Sequence, residues 1–270
     1  MTREHYTVND LLRVMQRLRD PLGGCPWDLK QDFRSIVPST LEECYELAEA
    51  IEHGDYPHVA EELGDVLFQV IFYARLGEEQ GLFSFREIVH TLVDKLLRRH
   101  PHVFAGGEIE GVVDGSVDVA EVKRSWEAIK REERAGRAQG GVLDDVPAAL
   151  PALPRAQKLQ KRAALVGFDW PDPSAVLAKL DEERGELEEA LRSGSQSAVA
   201  DEMGDLLFTC VNLARQLGLD AEATLRQASA KFEARFRVME TSAAGAGKTD
   251  LASLTAAELD ALWRSAKASR

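Results

Sequence analysis

Several things are scarce in this chain of 270 residues, and each scarcity argues against a class of protein. There are three cysteines, Cys25, Cys44 and Cys210, and no two lie close in sequence. That speaks against a disulfide framework or a zinc site and fits reduced thiols in the cytoplasm. Histidine is absent after His102. A di-iron carboxylate bundle needs Glu-x-x-His on two helices. The second half of the chain cannot supply it, and the first half offers one match, Glu87-Ile-Val-His90. His53 and His58 fall at a turn, neither of them three residues after a glutamate, and read as surface residues. Basic charge is in deficit, with 33 Lys and Arg against 46 Asp and Glu and a formal net charge of −13. A general nucleic-acid binder needs a basic face, so no nucleic-acid partner is expected. A phosphorylated ligand stays open, because a bound metal can invert the local field. Long apolar runs are missing too: the longest, Val66 to Ala74, contains Gln69 and is too short to span a bilayer. The start, Met1-Thr-Arg-Glu-His-Tyr6, lacks an apolar signal core. The expectation is a cytoplasmic protein with no membrane partner.

No segment sustains period-two alternation, so a sheet is not expected, whereas helical spacing recurs throughout. Leu11, Leu12, Met15 and Leu18 mark a first helix, with Asn9 or Asp10 as its N-cap. Pro21-Leu-Gly-Gly24 stops it. Ser39 or Thr40 can cap a helix from about Leu41 to Glu52, with Gly54 as the breaker. Further helices are expected at about His58 to Gln80 and Ser84 to Arg99. Pro154 to Val166, about Ser174 to Arg192, Gln196 to Leu217 and about Ala221 to Glu240 read as helices in the second half. The stretch after Glu240 is small and flexible in character, and Thr255-Ala-Ala-Glu258 opens a terminal helix with a capping-box pattern. The length suits two domains. Their expected bounds are 1–104 and 154–242. A linker, 105–153, carries one helix at about 117–134, and 243–270 holds a flexible stretch and the short terminal helix.

An acidic pattern occurs twice, offset by 140 residues. Glu42, Glu43 and Glu46 are followed by Glu62 and Asp65; Glu182, Glu183 and Glu186 are followed by Glu202 and Asp205. The surroundings repeat as well, with Leu47, Ala50, Gly54, Gly64, Phe68 and Arg75 recurring as Leu187, Ala190, Gly194, Gly204, Phe208 and Arg215. Carboxylates three apart share one helix face, and a short turn at Gly194 makes the two helices antiparallel neighbours. Four carboxylates can then converge, which is unfavourable without a cation. An all-oxygen set selects Mg²⁺, Mn²⁺ or Ca²⁺ over zinc or copper. Glutamates usually line solvated faces. Here they sit beside Leu180, Leu187, Met203, Leu206 and Leu207, and the whole set recurs.

The pattern Glu-Glu-x-x-Glu, a spacer, then Glu-x-x-Asp resembles the MazG family of nucleoside triphosphate pyrophosphohydrolases. So do Gly24-Cys-Pro-Trp-Asp28 with Gln31, Trp126-Glu-Ala-Ile-Lys130 with Glu132-Glu-Arg134, and Lys158-Leu-Gln-Lys-Arg-Ala-Ala164 with Gly167-Phe-Asp-Trp170. Glu202-Met-Gly-Asp-Leu-Leu-Phe208, Val211-Asn-Leu-Ala-Arg215 and Lys231-Phe-Glu-Ala-Arg-Phe236 extend the likeness to all of the chain except Ala243 to Arg270. The resemblance implies an all-α protein of tandem duplicated four-helix-bundle-type domains, a homodimer that cleaves nucleoside triphosphates to the monophosphate and pyrophosphate with Mg²⁺, or Mn²⁺. It implies that Glu183, Glu186, Glu202 and Asp205 hold metal and that Glu182 orients or deprotonates the attacking water. Lys158, Lys161, Lys231 and Arg235 are the candidate phosphate contacts.

Both copies keep five acids, so the neighbours must distinguish them. Beyond Glu202 and Asp205 the same helix face continues through Thr209 and Asn212; the first copy has Gln69 and Phe72 there. Asparagine can hydrogen-bond a sugar or base, whereas phenylalanine packs. Gly185 leaves room where the first copy has Tyr45. The second copy is therefore expected to be the main site, and Glu42, Glu43, Glu46, Glu62 and Asp65 a weak, regulatory or inactive one. Gly245-Ala-Gly-Lys-Thr249 resembles the end of a P-loop but lacks the first glycine, at Ser242, and reads as linker. Two alternatives remain: a related all-α phosphohydrolase selective for deoxy or non-canonical nucleotides, and a non-catalytic helical module that dimerises.

Overall fold

The computed structural model describes residues 5–112, 118–135, 141–144, 146–248 and 250–268. Among the described residues there is no strand, and the chain divides into two compact units that meet in sequence between Glu133 and Arg134. The fold is all-α, with the acidic pattern duplicated in tandem. Among the described residues, no helix is long and apolar enough to cross a membrane.

The first unit contains α1 (Val8–Leu18), α2 (Val37–His53), α3 (Tyr56–Glu79), α4 (Phe85–Arg99) and α5 (Val119–Ala135). Thr7, not Asn9 or Asp10, caps α1, and Asp10 closes a capping box back onto it. α2 starts earlier than Ser39 because Pro38 fits a first helical turn, where a missing N–H costs nothing. It ends at Gly54, whose φ of 69° is the left-handed conformation that glycine adopts most cheaply. Asp55 then caps α3, with Pro57 in its first turn, so α2 and α3 form an antiparallel hairpin. Met15, Ile36, Ile71, Phe72 and Leu76 form the buried core, and Phe33 stacks on Tyr73 at 5.9 Å between centroids. Arg19 is buried against this core. Its guanidinium lies 5.3 Å from the Phe72 ring, pairs with Glu79 at 2.7 Å and donates to the carbonyls of Asp28 and Gln31. It thereby fastens the Gly24–Asp28 segment to α3. α5, which the sequence places in a linker, is held to the end of α4: Glu133 pairs with Arg98 and Arg99, and Trp126 meets His100 edge-on at 5.0 Å.

The second unit contains α6 (Ala152–Ala164), α7 (Pro173–Ser193), α8 (Gln196–Gln216), α9 (Ala221–Gly245) and α10 (Ala256–Ala268). Asp172, Ser195 and Asp220 cap α7, α8 and α9. Gly194, with φ 73°, turns α7 into α8 as Gly54 turns α2 into α3. α6 is tied down by two buried amides. Gln157 donates to the Leu219 carbonyl at 2.9 Å and accepts from the Ala221 N–H, while Gln160 donates to the Phe208 carbonyl at 2.8 Å. The small residues after Glu240 do not end α9, as their character suggested. The helix continues to Gly245: Ala243 is buried, and α10 packs along α9, with Trp263 on Phe232 at 5.4 Å. The capping box Thr255–Glu258 is present, and Lys248 of the P-loop-like string pairs with Glu258. Thr249 lies outside the described residues.

Candidate metal centres

The α7–α8 hairpin brings Glu183 and Glu186 from one helix against Glu202 from the other. One oxygen from each lies within 4.8 Å of the others. Glu183 is buried, Glu202 half-buried and Glu186 exposed. The α2–α3 hairpin does the same with Glu43, Glu46 and Glu62, again within 4.8 Å. There the buried member is Glu62, from the second helix of the pair. Both sets have the ligand type and spacing that a hard divalent cation needs.

Asp205 and Asp65, one turn further along, are exposed and stand outside these two triads. The charge of Asp65 still reaches Glu43. Burial first, then Asp65, Glu46, Glu62 and Glu42, push the Glu43 carboxyl above its ordinary value. Burial likewise raises Glu186, opposed by Lys179 and reinforced by Glu183, Glu202 and Glu182. Each centre is therefore electrostatically under-compensated, which a bound cation would relieve.

Two side chains that sequence reasoning passed over or set aside touch the buried carboxylates. Lys179 Nζ is 2.8 Å from Glu182 and 2.9 Å from Glu183, and those two carboxylates hold its ammonium above the ordinary lysine range. His58 Nε2 is 2.7 Å from Glu62. The signal was available: Lys179 and His58 each stand four residues before the buried glutamate, the spacing that makes helical side chains meet. Glu182 is more than half exposed, and its contact is Lys179. The second oxygen of Glu62, Oε2, is buried with no hydrogen-bond partner. A buried carboxylate oxygen left so is costly, and a cation is the partner that the neighbouring acids suit.

The candidate substrate contacts are more scattered. Lys158, Lys161 and Lys231 are exposed and Arg235 is half-buried. Asn212 is 1% exposed and accepts from Arg215 at 2.6 Å; Arg215 in turn pairs with Asp169 of the Gly167–Trp170 segment. Gln216 donates to the carbonyl of Trp170 at 2.9 Å and fixes the same segment. At Gly185 a side chain would meet open space, and Tyr45 at the equivalent place is half-exposed.

The profile of the MazG nucleotide pyrophosphohydrolase domain matches residues 31–104 and 172–238, one stretch around each carboxylate triad. The chain is 47% identical over 262 residues to a nucleoside triphosphate pyrophosphohydrolase of Escherichia coli, covering 96% of this chain and 97% of that one. It is 41% identical to a nucleoside triphosphate pyrophosphohydrolase/pyrophosphatase MazG of Thermotoga maritima, covering 96% and 94%. An uncharacterized protein of Bacillus subtilis is 40% identical across 97% of this chain, which spans 52% of that longer protein.

Proposed function

The chain belongs to the MazG nucleotide pyrophosphohydrolase family, and on that premise we propose that it hydrolyses nucleoside triphosphates to the monophosphate and pyrophosphate in the cytoplasm. In this reading the reaction depends on Mg²⁺, which Mn²⁺ can replace, and its main site is the α7–α8 hairpin. The observation that carries the reading is the convergence of Glu183, Glu186 and Glu202 within the family's own stretch of the chain.

Glu183, Glu186 and Glu202 would hold the cation, with Asp205 one turn further along the same face of α8. When bound, the cation neutralises charge on the phosphate oxygens and lowers the pKa of a water. Glu182 takes or orients the proton of the attacking water, being next to the ligand Glu183 and open to solvent. The water's oxygen bonds to the α-phosphorus as the bond to the bridging oxygen breaks, and pyrophosphate leaves with that oxygen. Lys231 and Arg235, one turn apart on α9, and Lys158 and Lys161 on α6 are the chain's candidates to meet phosphate oxygens. Asn212 orders Arg215, which holds the Gly167–Trp170 segment beside α8. Exposed Leu177, Leu191, Leu207 and Phe208 on α7 and α8 support a homodimer, since apolar patches of this kind mark association surfaces. The physiological role is broad removal of triphosphates from the nucleotide pool.

Pyrophosphate release by Glu183→Gln and Glu43→Gln, each at saturating Mg²⁺, tests the proposal. Glu183→Gln should lose on the order of a hundredfold or more, and Glu43→Gln should stay near wild type. The opposite pattern overturns the choice of hairpin. Activity unchanged by a chelator overturns the metal.

A further inference from the structure

The two hairpins balance their buried carboxylates differently, and the difference bears on when each takes up metal. This inference rests on the reading of both triads as divalent-cation sites. In the α7–α8 hairpin a cation is already in place: Lys179 Nζ lies 2.9 Å from Glu183, the most buried ligand of the set, and 2.8 Å from Glu182. The Lys179 side chain is 29% exposed and that of Glu183 6%, so water screens this pair only in part. The equivalent of Lys179 in the first copy is Ser39, which carries no charge. There the buried ligand is Glu62. One of its oxygens meets His58 at 2.7 Å, and the other, Oε2, is buried without a hydrogen-bond partner.

An ammonium has three donors and no lone pair, so it cannot ligate a metal, and its positive charge beside Glu183 opposes a divalent cation at that carboxylate whichever oxygen the metal takes. Losing a charge-assisted hydrogen bond at a partly buried carboxylate is a real cost. The unpartnered oxygen of Glu62 loses nothing when a cation arrives. We propose that Lys179 is a built-in counter-ion that competes with the divalent cation for Glu183, so that without nucleotide the α2–α3 hairpin binds a divalent cation more tightly than the α7–α8 hairpin does. The working copy then rests with Glu183 paired to Lys179 and little metal bound. The first copy acts as a standing cation site.

Mn²⁺ alone, titrated into the full-length protein without nucleotide and followed by the electron paramagnetic resonance of the free ion, tests this. Two classes of site are expected: a tight one lost in Glu62→Gln and a weak one lost in Glu183→Gln. Lys179→Met should tighten the weak site by about tenfold and leave the tight one unchanged. Ser39→Lys, which adds the counter-ion to the first copy, should weaken the tight site by a similar factor. Circular dichroism and the thermal midpoint identify folded variants, and if Lys179→Met does not fold, Ser39→Lys decides. Equal affinity at the two sites, no binding at the first, or no response to either lysine change in folded protein overturns the proposal. The choice of catalytic hairpin is tested apart from this, by pyrophosphate release from Glu183→Gln.

Discussion

In the α2–α3 hairpin the deeply buried carboxylate comes from the second helix, Glu62; in the α7–α8 hairpin it comes from the first, Glu183. Further along the same helix faces, Phe72 closes an apolar core in one unit, while Asn212 holds an arginine in the other. The ligand spacing is common to both because it is set by helix geometry: residues three apart, a left-handed glycine, and a second helix returning alongside. What differs is the side chains beside the acids on the same helices, Lys179 or Ser39 and His58 or Ala198, and, in the second unit, the Gly167–Trp170 segment held by Arg215 and Gln216. A duplication can thus preserve a carboxylate triad while its neighbours change the depth and charge balance of each copy.

The largest way to break this comparison is to open the core behind the first triad. Phe72 is fully buried with Met15, Ile71 and Leu76 and has Arg19 over its ring. Phe72→Ala should cost about 3–5 kcal/mol, because transfer and cavity terms add. Urea unfolding would read the loss as an earlier transition for the first unit. If that unit is scaffold and cation site, pyrophosphate release below the lowered midpoint should persist. Loss of turnover while the protein is still folded would end the proposed division of labour.

A smaller effect separates the two units by their ionic clips. Arg99 and Arg98 hold the Glu133 carboxyl down to about 2. At Asp169 burial raises the carboxyl, but bonds from Arg215, the Trp170 N–H and Gln216 outweigh it and keep it below the usual range. A depressed carboxylate contributes stability above its unfolded pKa, and that contribution is lost as pH falls through the folded value. The Glu133 clip should therefore weaken on acidification from about pH 5 to about pH 2, and the Asp169 clip should weaken as pH falls below the ordinary carboxylate range. Asp169→Asn should cost about 1–3 kcal/mol at neutral pH, and the cost should shrink as pH falls through the lowered Asp169 value. Thermal midpoints of wild type and variant against pH would show it. A gap that stays constant with pH would mean that Asp169 acts by shape and not by charge.

The carboxylates were legible because their repetition set them apart from ordinary solvated glutamates. Which three of them converge was not legible, since face-sharing says nothing of depth. Asp205 shares a face with Glu202 and stays outside the triad. Asn212 lies on the expected face but is covered, because Arg215 and Asp169 meet over it and Asp169 is 43 residues away in sequence. The extension of α9 was hidden for the same kind of reason. A run such as Ser242-Ala-Ala-Gly245 reads as flexible until α9 is found packed against a distant helix, α10, with Ala243 buried. The contacts within four residues, Lys179 to Glu183 and His58 to Glu62, were readable from spacing alone, although His58 at a turn reads as a surface residue.

The smallest effect is the sharpest control. Gly54 and Gly194 occupy the same turn in the two hairpins, with φ of 69° and 73°, and an added Cβ would meet nothing within 4 Å at either place. Alanine there pays only for the left-handed backbone, about 1 kcal/mol. Gly54→Ala and Gly194→Ala should therefore lower stability by the same amount, measured by denaturant unfolding. They should differ in function. Gly194 fixes the register that sets Glu183 against Glu202, so its variant should lose turnover several-fold, while the Gly54 variant keeps it. Equal stability costs with unequal activity costs would locate the chemistry in one hairpin without touching a single carboxylate. Equal losses of activity would mean that both turns, and so both clusters, serve the reaction.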